Sequence, residues 1–372
     1  MRQDGANVSS KAFLQLLRAG IWENDTCLLP YKEINFTEVF QYAQEQSVVG
    51  LISAGIEHVT NTIIPKDITL NFVGDTLQVE QRNTEMNHYL QRIIERFNSE
   101  GIHFILVKGQ GIAQCYERPL WRASGDIDLL FDEDNYKRAK GLFDKITETP
   151  YNPTPKSIKR QHLEYQSGPW LVELHGNLHT HLSKRIDNVI DEIQNKVFEN
   201  GAVRLWRNGD TKVNLPSSDD DIIFVFSHIL QHFFLEGIGL RQICDLCRLL
   251  WTYRETIDKD LLSIRLKRMG VISEWKTLGC LMVDYLGLPE EAMPFYDTSY
   301  RRKADRMLAY IFESGNFGHN KDYSHLNDKN SVVRKLLLSW RQLKDSARLA
   351  TMFPLDASKF YLRFLFEGVC GG

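Results

Sequence analysis

Two aspartates, Asp126 and Asp128, stand in the apolar run GDIDLLF, residues 125–131. Read as a strand, the run puts Ile127, Leu129 and Phe131 on one face and both carboxylates, with Leu130, on the other. Like charges about 7 Å apart on one strand face repel each other. Such a pair persists where a cation or a cluster of donors sits between them. Mg²⁺ suits the position, because it takes carboxylate oxygens and substrate phosphates together, with Mn²⁺ as the alternative ion. A third carboxylate comes from GPWLVELHGNL, residues 168–178, where Val172 and Leu174 share one face and Glu173 takes the other. A strand carrying Glu173 beside the strand carrying the aspartates completes a three-carboxylate site for two metal ions, the arrangement needed for in-line nucleotidyl transfer. The structural alternative makes Asp126 a turn residue after Gly125 and Asp128 a strand-edge charge.

Around this trio lie residues able to handle phosphate. Lys108 ends the apolar run HFILVK and precedes Gly109 and Gly111, glycines that let backbone approach a phosphate closely. Its ammonium either reaches that phosphate or points to solvent, and the glycines favour the phosphate. Arg122, four residues before Asp126, is either a second phosphate clamp or an ion-pair partner of Glu117 or Asp126. His175 lies on the same strand face as Glu173, as a metal ligand, a substrate contact or a satisfied core histidine. His175, His179 and His181 match no closed structural-zinc spacing and have no accompanying cysteine, so zinc is not expected there. Further along, His228 and His232 are i, i+4 on one predicted helix, and Arg241 and Asp245 are i, i+4 on the next. Either the two pairs face a cleft and hold base, ribose or acceptor, or they form a buried polar bracket with Asp245 holding Arg241 or His228.

The order of these features resembles the polymerase-β-type nucleotidyltransferase superfamily. More narrowly, ILVKG, then a Tyr and a Pro, then R-x-x-G-D-I-D-L-L, then V-E-L-H resembles the bacterial family of uncharacterised nucleotidyltransferases. The resemblance spans roughly residues 30–300 and is specific over 104–175. It implies a nucleotidyltransferase core with Asp126, Asp128 and Glu173 as metal ligands and a nucleoside triphosphate as donor. One departure from the wider superfamily concerns the usual Gly-Ser after the first strand. Lys108-Gly109 stands there instead, with 16 residues between Gly109 and Asp126, so the serine hydroxyl that would touch the triphosphate is missing. The narrower family also carries Lys-Gly.

The elements that must position these groups can be read from periodicity. Helices are expected over 10–20 and 37–48, and a long one, or two abutting, over 66–100. The long one carries an apolar stripe through Leu70, Val73, Leu77, Val79, Met86, Leu90, Ile93, Ile94 and Phe97. A strand to Lys108 and a short helix GIAQCY follow, then the Asp strand and a helix capped by Asp132 and running to Ile146. After the proline-rich loop YNPTPKS come a hairpin turning at Ser167-Gly168-Pro169, a helix over 183–196 and a hairpin turning at Asn208-Gly209. No strand is expected beyond about 215. Helices are read at 219–234, 240–253, 258–269, 273–286, 300–312, 332–350 and 357–366, with 319–330 as a mobile polar loop. The fold class is α+β: a small mixed sheet at 101–215, N-terminal helices over 1–100 packed on it, and a C-terminal helical domain over 216–372.

Composition sets the outer bounds. Of 372 residues 43% are hydrophobic, enough for a large core rather than a disordered chain. The 45 Lys and Arg against 48 Asp and Glu give a net charge of −3, which disfavours general nucleic-acid binding. With no h-region and no run of 18 apolar residues, the expectation is no membrane partner and a cytoplasmic location. Six cysteines in a chain this long read as reduced thiols. The function expected is Mg²⁺-dependent transfer of a nucleoside monophosphate to a hydroxyl of a small-molecule or protein acceptor. The alternatives are an inactive nucleotide-binding or regulatory module on the same fold and a toxin–antitoxin or phage-defence component.

Overall fold

The strand β2, Asp126–Leu130, sits second in a four-stranded sheet of order β1-β2-β4-β3, with β1 at Ile105–Val107, β3 at His162–Ser167 and β4 at Trp170–His175. This computed structural model describes residues 8–147, 157, 161–315, 343–357 and 359–360. β1 runs antiparallel to β2, β2 parallel to β4, and β4 antiparallel to β3, so the sheet is mixed. The parallel step requires a crossover. It includes the helix Glu133–Ile146, whose N-cap Asp132 accepts from the Asn135 amide at 2.8 Å. Both hairpins turn at a glycine with φ 59°, Gly168 and Gly209, the left-handed backbone a two-residue hairpin loop requires at its first central position. In the second hairpin, Val203–Asn208 with Thr211–Pro216, the loop is Gly209-Asp210, one residue later than expected.

Alternation along the strands sends side chains into two different cores. Ile127, Leu129 and Phe131, with Leu163, Tyr165, Val172 and Leu174, face a core built on the C-terminal half of the helix α4, Lys66–Ser99, and on Glu133–Ile146. Leu130, Ile105 and Val107 point the other way, into a larger core shared by the N-terminal helices and the helices beyond residue 183. The carboxylate face of the sheet therefore looks toward the helical half.

The long helix departs from its expected stripe. Met86, Leu90, Ile93, Ile94 and Phe97 are buried as expected, but Leu70, Val73 and Leu77 are 59%, 48% and 59% exposed. At about 1.5 Å per residue the helix outruns the sheet beneath it. Its first half is held instead through Phe72, stacked edge-on against Phe40, and through Thr76, bonded to Ser53 at 2.6 Å. A helix at Val49–Glu57, α3, was not expected. It crosses α1, Val8–Trp22, so closely that a Cβ on Gly20 would lie 1.7 Å from the Leu51 carbonyl oxygen, and one on Gly55 2.0 Å from that of Leu16. Two glycines that weaken helix propensity are thus required by backbone contact.

Past residue 216 the described residues contain no strand. The helices α8 (Ser218–Leu235) and α9 (Leu240–Tyr253) follow, then Lys259–Met269, Ile272–Asp284 and Arg301–Ser314. The expected polar loop at 319–330 and most of the expected helices at 332–350 and 357–366 and of YNPTPKS lie outside the described residues. Among the described residues no helix is long and apolar enough to cross a membrane. The described cysteines are free, and Cys115, Cys244, Cys247 and Cys280 are buried.

Candidate active site

Strand register assembles the trio. β2 and β4 pair in parallel with Asp128 directly opposite Glu173, and Asp126 is two residues back on the same face of β2. One carboxylate oxygen from each of the three lies within 4.8 Å of the others. The loop leading into β2 is fixed from below, because the Asn83 side chain on α4 donates to the carbonyls of Leu120 and Arg122 at 2.7 and 2.8 Å.

At the end of β1 the chain turns through two successive left-handed residues, Lys108 at φ 58° and Gly109 at φ 38°. A lysine in that conformation costs about 1–3 kcal/mol. The Lys108 ammonium lies within 2.7 Å of Asp128 Oδ1. It therefore points into the site rather than to solvent. Gly111 has a different role: a Cβ there would meet Leu215 Cδ2 at 2.8 Å, so its size serves packing.

His175 completes the inner cluster. Its Nε2 sits 2.8 Å from Asp128 Oδ1 and 3.2 Å from Glu173 Oε2. His162, directly opposite it on β3, places Nε2 3.1 Å from Glu173 Oε2. The charges follow from these contacts. Burial works to raise Glu173, but hydrogen bonds from His162 and His175 hold it well below the usual carboxylate range. Burial is likewise outweighed at Asp128, which Lys108 and His175 hold low. Among the described residues Asp126 has no such donor; burial, then the charges of Asp128 and Glu173, push it up to about 6. One carboxylate of the three is thus under-compensated, and an oxygen-only set with excess negative charge fits a hard divalent cation.

The raised value at Asp126 gives a signed prediction. Its folded pKa lies above the unfolded one, so its contribution to stability is full below about pH 4 and is lost as pH rises through about 6. In metal-free protein Asp126→Asn should therefore raise stability above pH 6, by about 2–3 kcal/mol, and leave it unchanged below pH 4. Chemical denaturation at pH 8 and at pH 4 in chelator reads both. Equal stabilisation at the two pH values would contradict the electrostatic account.

The helical half supplies the opposite wall. Of the twelve residues singled out from the sequence, eleven line one cavity of about 530 Å³ and only Gly111 does not. Arg122 is committed to Asp245, with Nε to Oδ1 at 3.0 Å and Nη2 to Oδ2 at 2.5 Å, both side chains almost fully buried. The ion pair weighed for it with Glu117 or Asp126 is thus made with Asp245, while Glu117 pairs with Arg248. Asp245 holds neither Arg241 nor His228; its second partner is the Tyr116 hydroxyl at 2.9 Å. Arg241 donates to the Ala123 carbonyl at 2.9 Å, and its Nε has no acceptor among the described residues. Burial, then the neighbouring Arg122 charge, lowers its pKa. It is a guanidinium facing the acids without a carboxylate of its own among the described residues. His228 and His232 meet edge to face at 4.3 Å, and His232 bonds Glu236 at 2.9 Å. Burial, then the charges of Lys108 and His232, hold His228 well below its ordinary value, so it is a neutral imidazole on the cavity wall.

His162 is the residue that reading by motif passed over. The hairpin itself carries the signal: with Gly168-Pro169 as a two-residue loop, 162 must pair with 175.

No curated protein and no solved structure matches the chain significantly. A family model described as "Uncharacterised nucleotidyltransferase" matches residues 32–281. That stretch takes in the helix α2, Phe36–Glu45, the whole sheet, the carboxylate trio and both helices of the opposite wall. With about two thirds of its length matched, the chain belongs to this family of uncharacterised nucleotidyltransferases.

Proposed function

We propose that the protein moves a nucleoside monophosphate from a nucleoside triphosphate to an acceptor hydroxyl, with release of pyrophosphate and dependence on Mg²⁺. The observation that carries this reading is the three carboxylates of Asp126, Asp128 and Glu173, gathered within 4.8 Å on one sheet face, with Lys108 and Arg241 lining the same cavity. Two Mg²⁺ ions held by these carboxylates would supply charge neutralisation at the α-phosphate and activation of the acceptor hydroxyl. The remaining roles belong to the chain. Arg241, without a carboxylate partner, binds phosphate oxygens. Lys108 serves the same end as a point charge when the triphosphate draws it from Asp128. An acceptor hydroxyl held beside one of the ions would give up its proton more readily, with Glu173 or Asp128 at hand to take it. The acceptor is a small molecule or a protein, since a net charge of −3 disfavours a polynucleotide.

One observation favours a second reading, nucleotide binding without transfer. Lys108 and His175 both contact Asp128 Oδ1, at 2.7 and 2.8 Å, and so occupy an oxygen that a metal needs. Thermal stability with each of the four nucleoside triphosphates, with and without Mg²⁺, tests both. The expected result is a metal-dependent rise with one nucleotide, worth about 2.7 kcal/mol at a hundredfold excess over Kd, that vanishes in the Asp126→Asn, Asp128→Asn double variant. A rise without pyrophosphate release supports the binding module. No rise with any nucleotide defeats both readings.

A further inference from the structure

The two imidazoles on the far side of Glu173 have a geometry that hydrogen bonding alone does not require. His162 and His175 lie directly opposite on β3 and β4, their rings stacked at 4.6 Å and 22°. Both bring Nε2 to the same atom, Glu173 Oε2, from 3.1 and 3.2 Å, and His175 Nε2 also lies 2.8 Å from Asp128 Oδ1. His175 already serves Asp128 at 2.8 Å, and the two contacts to Glu173 sit at the long end of the ordinary N–H···O range of about 2.7–3.2 Å. They are the right length for something else. Metal–ligand bonds of about 2.1 Å place neighbouring ligand atoms roughly 3.0 Å apart in octahedral and 3.4 Å apart in tetrahedral coordination. The three ligand atoms lie within 4.8 Å of one another, and His175 is buried while the His162 side chain is 37% exposed, leaving a way in.

We propose that His162, His175 and Glu173 form a second metal site, for a borderline divalent transition metal such as Mn²⁺, Co²⁺ or Zn²⁺. The donor set is what separates it from its neighbour. Two imidazole nitrogens and one carboxylate suit borderline ions, which bind such sets in the order Mn²⁺ below Co²⁺ and Zn²⁺. The oxygen-only set of Asp126, Asp128 and Glu173 suits Mg²⁺. Glu173 is common to both, so the two sites are linked through one carboxylate. The site differs from the closed zinc pattern tested against His175, His179 and His181, because its second histidine comes from across the hairpin and three protein ligands leave positions open. It stands without the nucleotidyl-transfer reading, since it rests on the ligand atoms alone.

Co²⁺ is the probe, because nitrogen ligation gives it visible ligand-field absorption and hyperfine-shifted proton resonances. In the full chain, one equivalent of Co²⁺ should bind in the presence of millimolar Mg²⁺ and show two shifted, exchangeable imidazole N–H signals. His162→Asn, on the exposed side of an edge strand, should remove one of those signals and weaken Co²⁺ at least about 100-fold, since even outer-shell partners are worth 10–100-fold. Asp126→Asn should keep both signals. Co²⁺ that Mg²⁺ displaces, or that His162→Asn leaves untouched, or that shows no imidazole signal, would place the ion on the carboxylate trio or nowhere and overturn the second site. A melting curve of His162→Asn matching wild type in chelator confirms that the loss is of a ligand and not of the fold.

Discussion

Asp245→Ala should be the most destabilising single substitution among the cavity residues, lowering stability by about 3–5 kcal/mol and the melting temperature by on the order of 10 °C. Asp245 lies on α9 and Arg122 on the loop entering β2, 123 positions apart. Their bidentate pair closes the sheet against the helical half with side chains only 5% and 4% exposed. Burial works to lower Arg122, and Asp245 more than offsets it. Without Asp245 a guanidinium is left in the interior with Ser124 Oγ, at 3.1 Å, as its remaining side-chain acceptor among the described residues, and the buried Tyr116 hydroxyl loses its acceptor as well. The loss reflects a stranded charge, not the net worth of the pair, and this is separately testable. Replacing both partners by apolar residues of similar volume, Arg122→Met with Asp245→Leu, should recover most of the stability. If the double replacement is as unstable as Asp245→Ala, the ion pair is itself stabilising. If Asp245→Ala melts within a degree or two of wild type, Arg122 has found another partner.

That pair also marks where sequence reading ends. The strands and the placing of the Glu173 strand beside the aspartate strand were legible, because a face-alternating pattern interrupted by carboxylates leaves a local trace; that Asp128 rather than Asp126 faces Glu173 was not. Asp132 as a helix cap and both glycine hairpins were legible for the same reason. What was not legible depends on groups far apart in the chain. Arg122 had Glu117 and Asp126 as candidate partners nearby, yet it pairs with Asp245, a choice that only the packing of α9 on the sheet decides. The helix Val49–Glu57 carries no apolar period, since it is buried on nearly every side and its glycines answer to backbone contact with α1. The exposed half of α4 misled because Leu70, Val73 and Leu77 are spaced as a core stripe should be, and nothing local tells where the underlying sheet stops. Lys108 was read for phosphate or solvent, whereas it rests on Asp128, a contact set by a strained turn that has no simple sequence mark.

Asp128→Asn should abolish transfer while moving stability in the direction opposite to Asp126→Asn. Both aspartates stand on one face of β2 and both are read as metal ligands, so each substitution removes several kcal/mol of transition-state stabilisation, on the order of 10³-fold in rate. Pyrophosphate release from the nucleotide that stabilises the protein measures this; more than a tenth of wild-type activity in either variant would remove that residue from the metal site. Stability separates them. Asp128 is held low because Lys108 and His175 serve it, with burial opposing. Its folded pKa lies below the unfolded one, so its contribution is present above about pH 4 and lost as pH falls through the folded value. Asp128→Asn therefore weakens the metal-free protein at neutral pH, where Asp126→Asn strengthens it. Two adjacent ligands of one metal would be expected to respond alike if the site were built around the ion alone. Opposite responses would mean that Lys108 and His175 hold one half of the site in the ion's absence and that Asp126 carries the uncompensated charge awaiting it. If both variants gain stability, Lys108 does not rest on Asp128 in solution, and the long-range contact that ties β1 to the site is absent.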